Sequence, residues 1–92
     1  MLKPYILYTD GSRKEIEPKN KKDFSLEELS KIVNGYIEII YLNNNQLMVL
    51  NEEGKLNNLP YNSEATKLAS TELAPDDFIV GNVLVCNGKY IK

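Results

Sequence analysis

Residue types able to do chemistry gather in two short runs, Asn51-Glu52-Glu53-Gly54-Lys55 and Leu59-Pro60-Tyr61-Asn62-Ser63-Glu64-Ala65-Thr66. Together they offer two side-chain amides (Asn51, Asn62), a hydroxyl (Thr66), a cation (Lys55) and an aromatic face (Tyr61). Such a set can hold a nucleobase and a phosphate, because an aromatic ring stacks on the base and a cation pairs with the anion. A short helix beginning near residue 63 would add backbone N–H donors at its N-terminus. Tyr36 is a second ring for stacking, and Arg13 a second cation for phosphate. The expected ligand-binding set is therefore Tyr36, Asn51, Lys55, Tyr61, Asn62, Thr66 and Arg13. The same letters also describe a tight turn followed by a helix N-cap, which requires no ligand.

Catalytic constellations are harder to assemble. The chain has no histidine, so no Ser–His–Asp arrangement is possible. Cys86 is the single cysteine, which removes a disulfide framework and a thiolate zinc site. It lies in the apolar run Phe78 to Cys86 and reads as a buried small hydrophobe. The pairs Glu52-Glu53 and Asp76-Asp77 are adjacent in sequence, so on a strand their carboxylates point to opposite faces. Gly54-Lys55 lacks the preceding glycine loop of a phosphate-binding P-loop. Tyr8-Thr9-Asp10-Gly11-Ser12 resembles the first-strand motif of ribonucleases H, but two-metal chemistry needs several converging carboxylates. The rest of that pattern is missing, and Asp10-Gly11 reads as a hairpin turn. No catalytic residue, metal or cofactor is expected, and the protein is expected not to be an enzyme.

These residues need a scaffold, and 92 residues suffice for one domain, here 1–92, with a thin core. A thin core favours assembly into a homo-oligomer. The net charge of −2 argues against direct DNA or RNA binding, which needs a positive face. The charge is uneven: residues 1–23 hold six Lys/Arg against four Asp/Glu, and residues 24–92 hold five against nine. Lys19, Lys21 and Lys22 form a basic knot that reads as a solvated loop. No apolar run reaches the roughly 18–20 residues that cross a bilayer. The N-terminal run from Met1 to Tyr5 begins strand-like and lacks a signal-peptide core. The cytoplasm of a bacterial host is the expected location.

Local patterns give the elements. Tyr5 to Thr9 and Ser12 to Glu17 read as a hairpin about Asp10-Gly11. Ser25-Leu26-Glu27-Glu28 matches a capping box, with Phe24 and Leu29 as a hydrophobic staple. Leu26, Leu29, Ile32 and Val33 follow at helical spacing, and Gly35 is expected to supply the terminating positive φ. A helix over about 26–34 follows. Tyr36 to Leu42 and Gln46 to Asn51 read as strands joined by Asn43-Asn44-Asn45. Asn62 or Ser63 caps a second helix over about 63–70, with Ala65, Leu68 and Ala69 inward. Phe78 to Cys86 reads as a central strand, and Asn87-Gly88 as a last hairpin before Lys89-Tyr90-Ile91. The predicted fold is α+β, a mostly antiparallel sheet of about five to six strands with two short helices.

Three stretches carry a family likeness. They are Leu29…Ile32-Val33 with Gly35-Tyr36-Ile37-Glu38, then Asn51-Glu52-Glu53-Gly54-Lys55-Leu56 with Leu59-Pro60 and Asn62, and Asp77 to Val85. The chain resembles an uncharacterised small-domain family of phages, plasmids and conjugative elements in Gram-positive and Bacteroides-type bacteria. The resemblance implies a mobile-element origin. In that setting the expected function is to bind and sequester a nucleotide-derived immune signal, of cyclic oligonucleotide or cyclic ADP-ribose type, against host defence. Tyr61 or Tyr36 would stack on a base, Asn51 and Asn62 would read its edges, and Lys55 and Arg13 would hold phosphate. The alternative is a protein-interaction module that inhibits or recruits a host protein through a sheet edge or a tyrosine-bearing face.

Overall fold

A computed structural model describes residues 3–91. Met1, Leu2 and Lys92 lie outside the described residues, so the start of the N-terminal strand-like run does too. Five strands form one sheet: β1 (Tyr5–Leu7), β2 (Arg13–Glu15), β3 (Ile37–Tyr41), β4 (Gln46–Asn51) and β5 (Val83–Asn87). Two α-helices accompany them, α1 (Leu26–Val33) and α2 (Ser63–Leu68). The strand order is β2-β1-β5-β4-β3, with every neighbouring pair antiparallel. The α+β expectation is met with five strands.

The order follows from two local hairpins and one distant strand. Asp10 closes the β1–β2 turn, its Oδ1 accepting from the backbone N–H of Ser12 at 2.8 Å and from the Ser12 hydroxyl at 2.6 Å. These bonds hold the Asp10 carboxyl below its ordinary pKa, and they explain the Asp-Gly motif without a metal. Asn44 and Asn45 both adopt the left-handed region (φ 60 and 61), the paired positive φ values that a two-residue β3–β4 hairpin requires. β5 then enters between β1 and β4, the central place that its apolar run favours.

Side chains alternate along each strand, so the sheet buries two faces. On one, Leu7, Met48, Leu50, Val83 and Val85 pack with Ala65 and Ala69 of the α2 segment and with Ile79. On the other, Leu47, Val49, Leu84 and Cys86 pack with Phe24, Leu29 and Val33 at α1. α1 starts where the sequence indicates. The Ser25 hydroxyl accepts from the Glu28 N–H at 3.1 Å, and the Glu28 carboxylate accepts from the Ser25 N–H at 2.8 Å and the Lys19 N–H at 3.0 Å. Those donors lower the Glu28 pKa, the Ser25 backbone most.

Several elements differ from the sequence reading. The residue that ends α1 in the left-handed region is Asn34 (φ 65), not Gly35. Gly35 is needed for space instead, because a Cβ there would stand 2.7 Å from Asn51 Nδ2. Leu26 shares the stripe of Leu29 and Val33, but at the first helical position it is left 66% exposed. Leu68 also faces outward, because this segment turns Ala65 and Ala69, one turn apart, onto the sheet. The last strand begins at Val83 rather than Phe78. Gly81 turns the chain at φ +79, and a Cβ there would meet Leu59 Cδ1 at 2.8 Å. Val80 pairs only with Tyr61, in an isolated bridge. Asn87-Gly88 opens a 3-10 turn over Gly88–Tyr90 and not a hairpin, and Ile91 ends in a bridge to Phe24.

Candidate functional site

The residues expected to bind a ligand separate into three groups. Asn51 ends β4 with its side chain turned beneath the end of α1. Its Nδ2 donates to the carbonyls of Val33 at 3.1 Å and Asn34 at 3.2 Å, and its Oδ1 accepts from the Glu53 N–H at 2.8 Å. Asn62 is wholly buried. Its Nδ2 donates to the carbonyls of Leu7 at 3.1 Å and Gly81 at 2.8 Å, and its Oδ1 caps α2 by accepting from the Ala65 N–H at 3.0 Å. The Thr66 hydroxyl donates to the Asn62 carbonyl at 2.8 Å and accepts from the Ile79 N–H at 2.9 Å. All three side chains satisfy backbone groups that would otherwise be stranded in the interior. Their polar atoms are committed to the fold, and none is free to read a base edge.

Lys55 and Tyr61 stay at the surface, where they join Asp77 and Phe78, neither of which was expected to bind a ligand. The Lys55 ammonium pairs with the Asp77 carboxylate and lies 4.5 Å from the centre of the Phe78 ring. Tyr61 meets the same ring edge-on, with centroids 6.0 Å apart and planes at 61°. Lys55 and the Phe78 backbone N–H together hold the Asp77 carboxyl below its usual range, the Lys55 hydrogen bond contributing most.

Lys55, Asp77 and Phe78 form one wall of a cleft of about 260 Å³ at the β3 side of the sheet, and Tyr61 stands outside its lining, behind Phe78. Ile40, Leu50, Leu73, Ile79 and Val80 provide its apolar lining, and Leu56, which is 80% exposed, stands at its mouth. Glu38, Glu52, Glu53 and Asp77 face it against the lone Lys55, four carboxylates to one ammonium and formally −3 at neutral pH. The Lys55 charge is already matched by Asp77. Such a lining repels phosphate and attracts cationic groups. Its volume also falls below the roughly 300–1,000 Å³ typical of pockets for drug-sized ligands.

The remaining two expected residues lie elsewhere. Tyr36 is 73% exposed just before β3, touching this region only through its carbonyl, which accepts from the Glu52 N–H at 2.8 Å. Arg13 belongs to β2 and stacks its guanidinium 4.7 Å from the Tyr5 ring centre. β2 and β3 are opposite edges of the sheet, four strand spacings or about 19 Å apart. Arg13 is not among the residues that line the cleft with Lys55. The signals for the residues that do line the cleft were faint: an acid, Glu38, on an otherwise apolar strand, and an aromatic, Phe78, directly after an acidic pair.

Reactive groups are few. The Cys86 thiol is buried against the α1 face and pushed up to about 12 by desolvation, which leaves it a poor nucleophile. Among the described residues, no three His, Cys, Asp or Glu side chains stand close enough to hold a metal ion. Nor is any helix among them long and apolar enough to cross a membrane.

Fold and site thus define a small α+β domain with an acidic, apolar-floored cleft beside one edge of its sheet. The chain belongs to the family described as Domain of unknown function (DUF3846), whose model matches residues 4–90. No curated protein and no solved structure matches it.

Proposed function

We propose that this protein acts by binding rather than turnover, as an interaction module that engages another protein through the cleft between β3 and the 73–80 segment. The observation that carries this reading is the cleft's combination of an apolar floor with a surplus of carboxylates. A protein segment bearing aliphatic and basic side chains answers both features, whereas the phosphates of a nucleotide oppose the second. Exposed Leu56, Phe78 and Tyr61 add apolar and aromatic surface of the kind that anchors interfaces. In the mobile-element setting implied by the sequence likeness, the partner would be a host protein that the domain inhibits or recruits.

Sequestration of a cyclic oligonucleotide or cyclic ADP-ribose signal is the competing reading. It draws on the Tyr61–Phe78 pair as a stacking platform, with Lys55 beside it. Lys55 is the single cation in the cleft lining, so this reading draws its second cation from another copy in a homo-oligomer.

Two assays separate the readings. Affinity capture with the native chain and with a Glu53→Lys, Phe78→Ala variant, followed by reconstitution with the purified partner, tests the first. The expected result is a partner whose affinity falls at least about tenfold in the variant, a loss of roughly 1.4 kcal/mol. Thermal shift against cyclic dinucleotides, cyclic trinucleotides and cyclic ADP-ribose isomers tests the second. A shift of about 10–20 °C with one compound would overturn the protein-partner reading and establish sequestration.

A further inference from the structure

The sheet ends differently at its two sides. β2 is a three-residue edge, Arg13-Lys14-Glu15, with every side chain exposed and charged. Short length and charge are the ordinary means by which an edge is kept from pairing with another chain. β3 is a five-residue edge, Ile37-Glu38-Ile39-Ile40-Tyr41, with no proline, no lysine and a regular ladder to β4. It has none of those protections except Glu38.

Ladder parity identifies which backbone groups this edge leaves open. Antiparallel pairs alternate between hydrogen-bonded and non-bonded. The Leu42 N–H donates to the Gln46 carbonyl at 2.8 Å, and the Glu52 N–H to the Tyr36 carbonyl at 2.8 Å. Both pairs share one register with Glu38↔Leu50 and Ile40↔Met48, so these bond inward to β4. The N–H and C=O groups of Ile37, Ile39 and Tyr41 consequently point away from the sheet, evenly spaced along an open edge.

We propose that β3 is a strand acceptor: an extended segment of another protein, alternating basic and aliphatic residues, adds to the sheet alongside it. This rests on the protein-partner reading and specifies its mode. Main-chain bonds to Ile37, Ile39 and Tyr41 supply affinity, and side chains on alternate positions supply selectivity. Glu38 and Ile40 both face the cleft, so incoming side chains on that side meet Glu38, Glu52 and Glu53 at the rim and Ile40, Leu50 and Leu73 beneath. Charge complementarity selects lysine or arginine there, whose methylene stems lie over the apolar floor, while the alternating aliphatic residues fall on the opposite face beside Ile37 and Ile39. A second copy of this chain is a poorer occupant, because symmetric β3 pairing would bring two Glu38 carboxylates and two acidic clefts together.

The test is amide hydrogen exchange of the intact chain, resolved by residue, with a short capped peptide alternating lysine and valine as probe. A matched glutamate–valine peptide is the control. The lysine peptide is expected to slow exchange at Ile37, Ile39 and Tyr41 by about tenfold or more, and the glutamate peptide to leave it unchanged. Tyr41→Pro removes one outward N–H while keeping the β4 ladder, and should abolish protection at Ile37 and Ile39. Tyr41→Thr, which retains the N–H, should preserve it, and the melting temperatures of both variants report whether the sheet is intact. Shifts at Leu56 and Phe78 without β3 protection would overturn the strand mode and leave the cleft reading standing. No response anywhere would overturn both. Equal protection by the two peptides, or protection that grows with protein concentration alone, would also overturn the proposal, the latter assigning the edge to a second copy.

Discussion

Within the 51–66 stretch, Asn51, Asn62 and Thr66 direct their side chains at backbone groups inside the fold, whereas Lys55 and Tyr61 meet only other side chains at the surface. Their polarity does not distinguish them. The difference lies in what the neighbouring backbone leaves unsatisfied. Asn62 stands where β1, the turn at Gly81 and the start of α2 converge, and it answers two carbonyls and an N–H there. Lys55 stands in a turn whose backbone closes on itself through Gly54, Asn57, Asn58 and Leu59. Its side chain is left for the surface. An amide-rich stretch can therefore be a frame and a binding face at once, and substitutions should split accordingly.

The largest effect is expected at Asn62. Asn62→Ala strands the Leu7 and Gly81 carbonyls and the Ala65 N–H, at about 1–3 kcal/mol each when buried and unpaired. A loss of roughly 3–5 kcal/mol in urea unfolding is expected, enough to threaten folding of a domain this size. A loss below about 1 kcal/mol would place Asn62 with the surface group and break the comparison.

Asn51→Ala should cost somewhat less, about 2–3 kcal/mol, since its position is closer to solvent. Gly35→Ala sharpens the same point: the added methyl needs the space that the Asn51 amide occupies. In a double-mutant cycle the two changes should be coupled, with the pair costing less than the sum of the single variants. Strict additivity would mean that Gly35 serves another purpose.

Much of the frame was legible beforehand, because it is local. The capping box at Ser25, the turns at Asp10-Gly11 and Asn44-Asn45, and the cap at Asn62 each depend on residues within a few positions. What was not legible depends on distance in the chain. The tertiary partners of Asn62 come from Leu7 and Gly81, so its sequence could suggest a cap but not its burial. Phe78 belongs to an apolar run that reads as a strand, and the turn imposed at Gly81 frees it to stand beside Lys55 and Tyr61. The placing of β2, which carries Arg13, and β3, which borders the cleft, at opposite edges follows from the insertion of β5 between the two hairpins, a non-local event.

At the surface the expected costs are smaller and the functional ones larger. Phe78→Ala should lower stability by about 1–2 kcal/mol, because the ring is only partly buried and loses its contact with Tyr61. It should weaken a partner at the cleft by about tenfold or more. A large stability loss with unchanged binding would move Phe78 into the frame.

The smallest stability effect belongs to Lys55→Ala, within about 0.5 kcal/mol, as for other exposed ion pairs. Its signature is in titration. Asp77 is held below its ordinary value of 3.8, and removing Lys55 should move its NMR titration midpoint up toward that value. Asp10 and Glu28 are lowered too, by hydrogen bonds that Lys55 does not touch, and should not move. For all three the folded pKa lies below the unfolded one. Their stabilisation is therefore present above the ordinary carboxylate range and fades as pH falls through the lowered values. Melting temperature should accordingly decline on acidification below about pH 4.

The most direct test of the central claim is an NMR titration of the intact chain with the lysine–valine peptide, mapped over backbone and side chains at low salt. Saturable shifts are expected at Glu38, Glu53, Lys55, Leu56 and Phe78, weakened by added salt, with Arg13, Lys14 and the buried Asn62 silent. Shifts centred on β2, or none in the cleft, would contradict it.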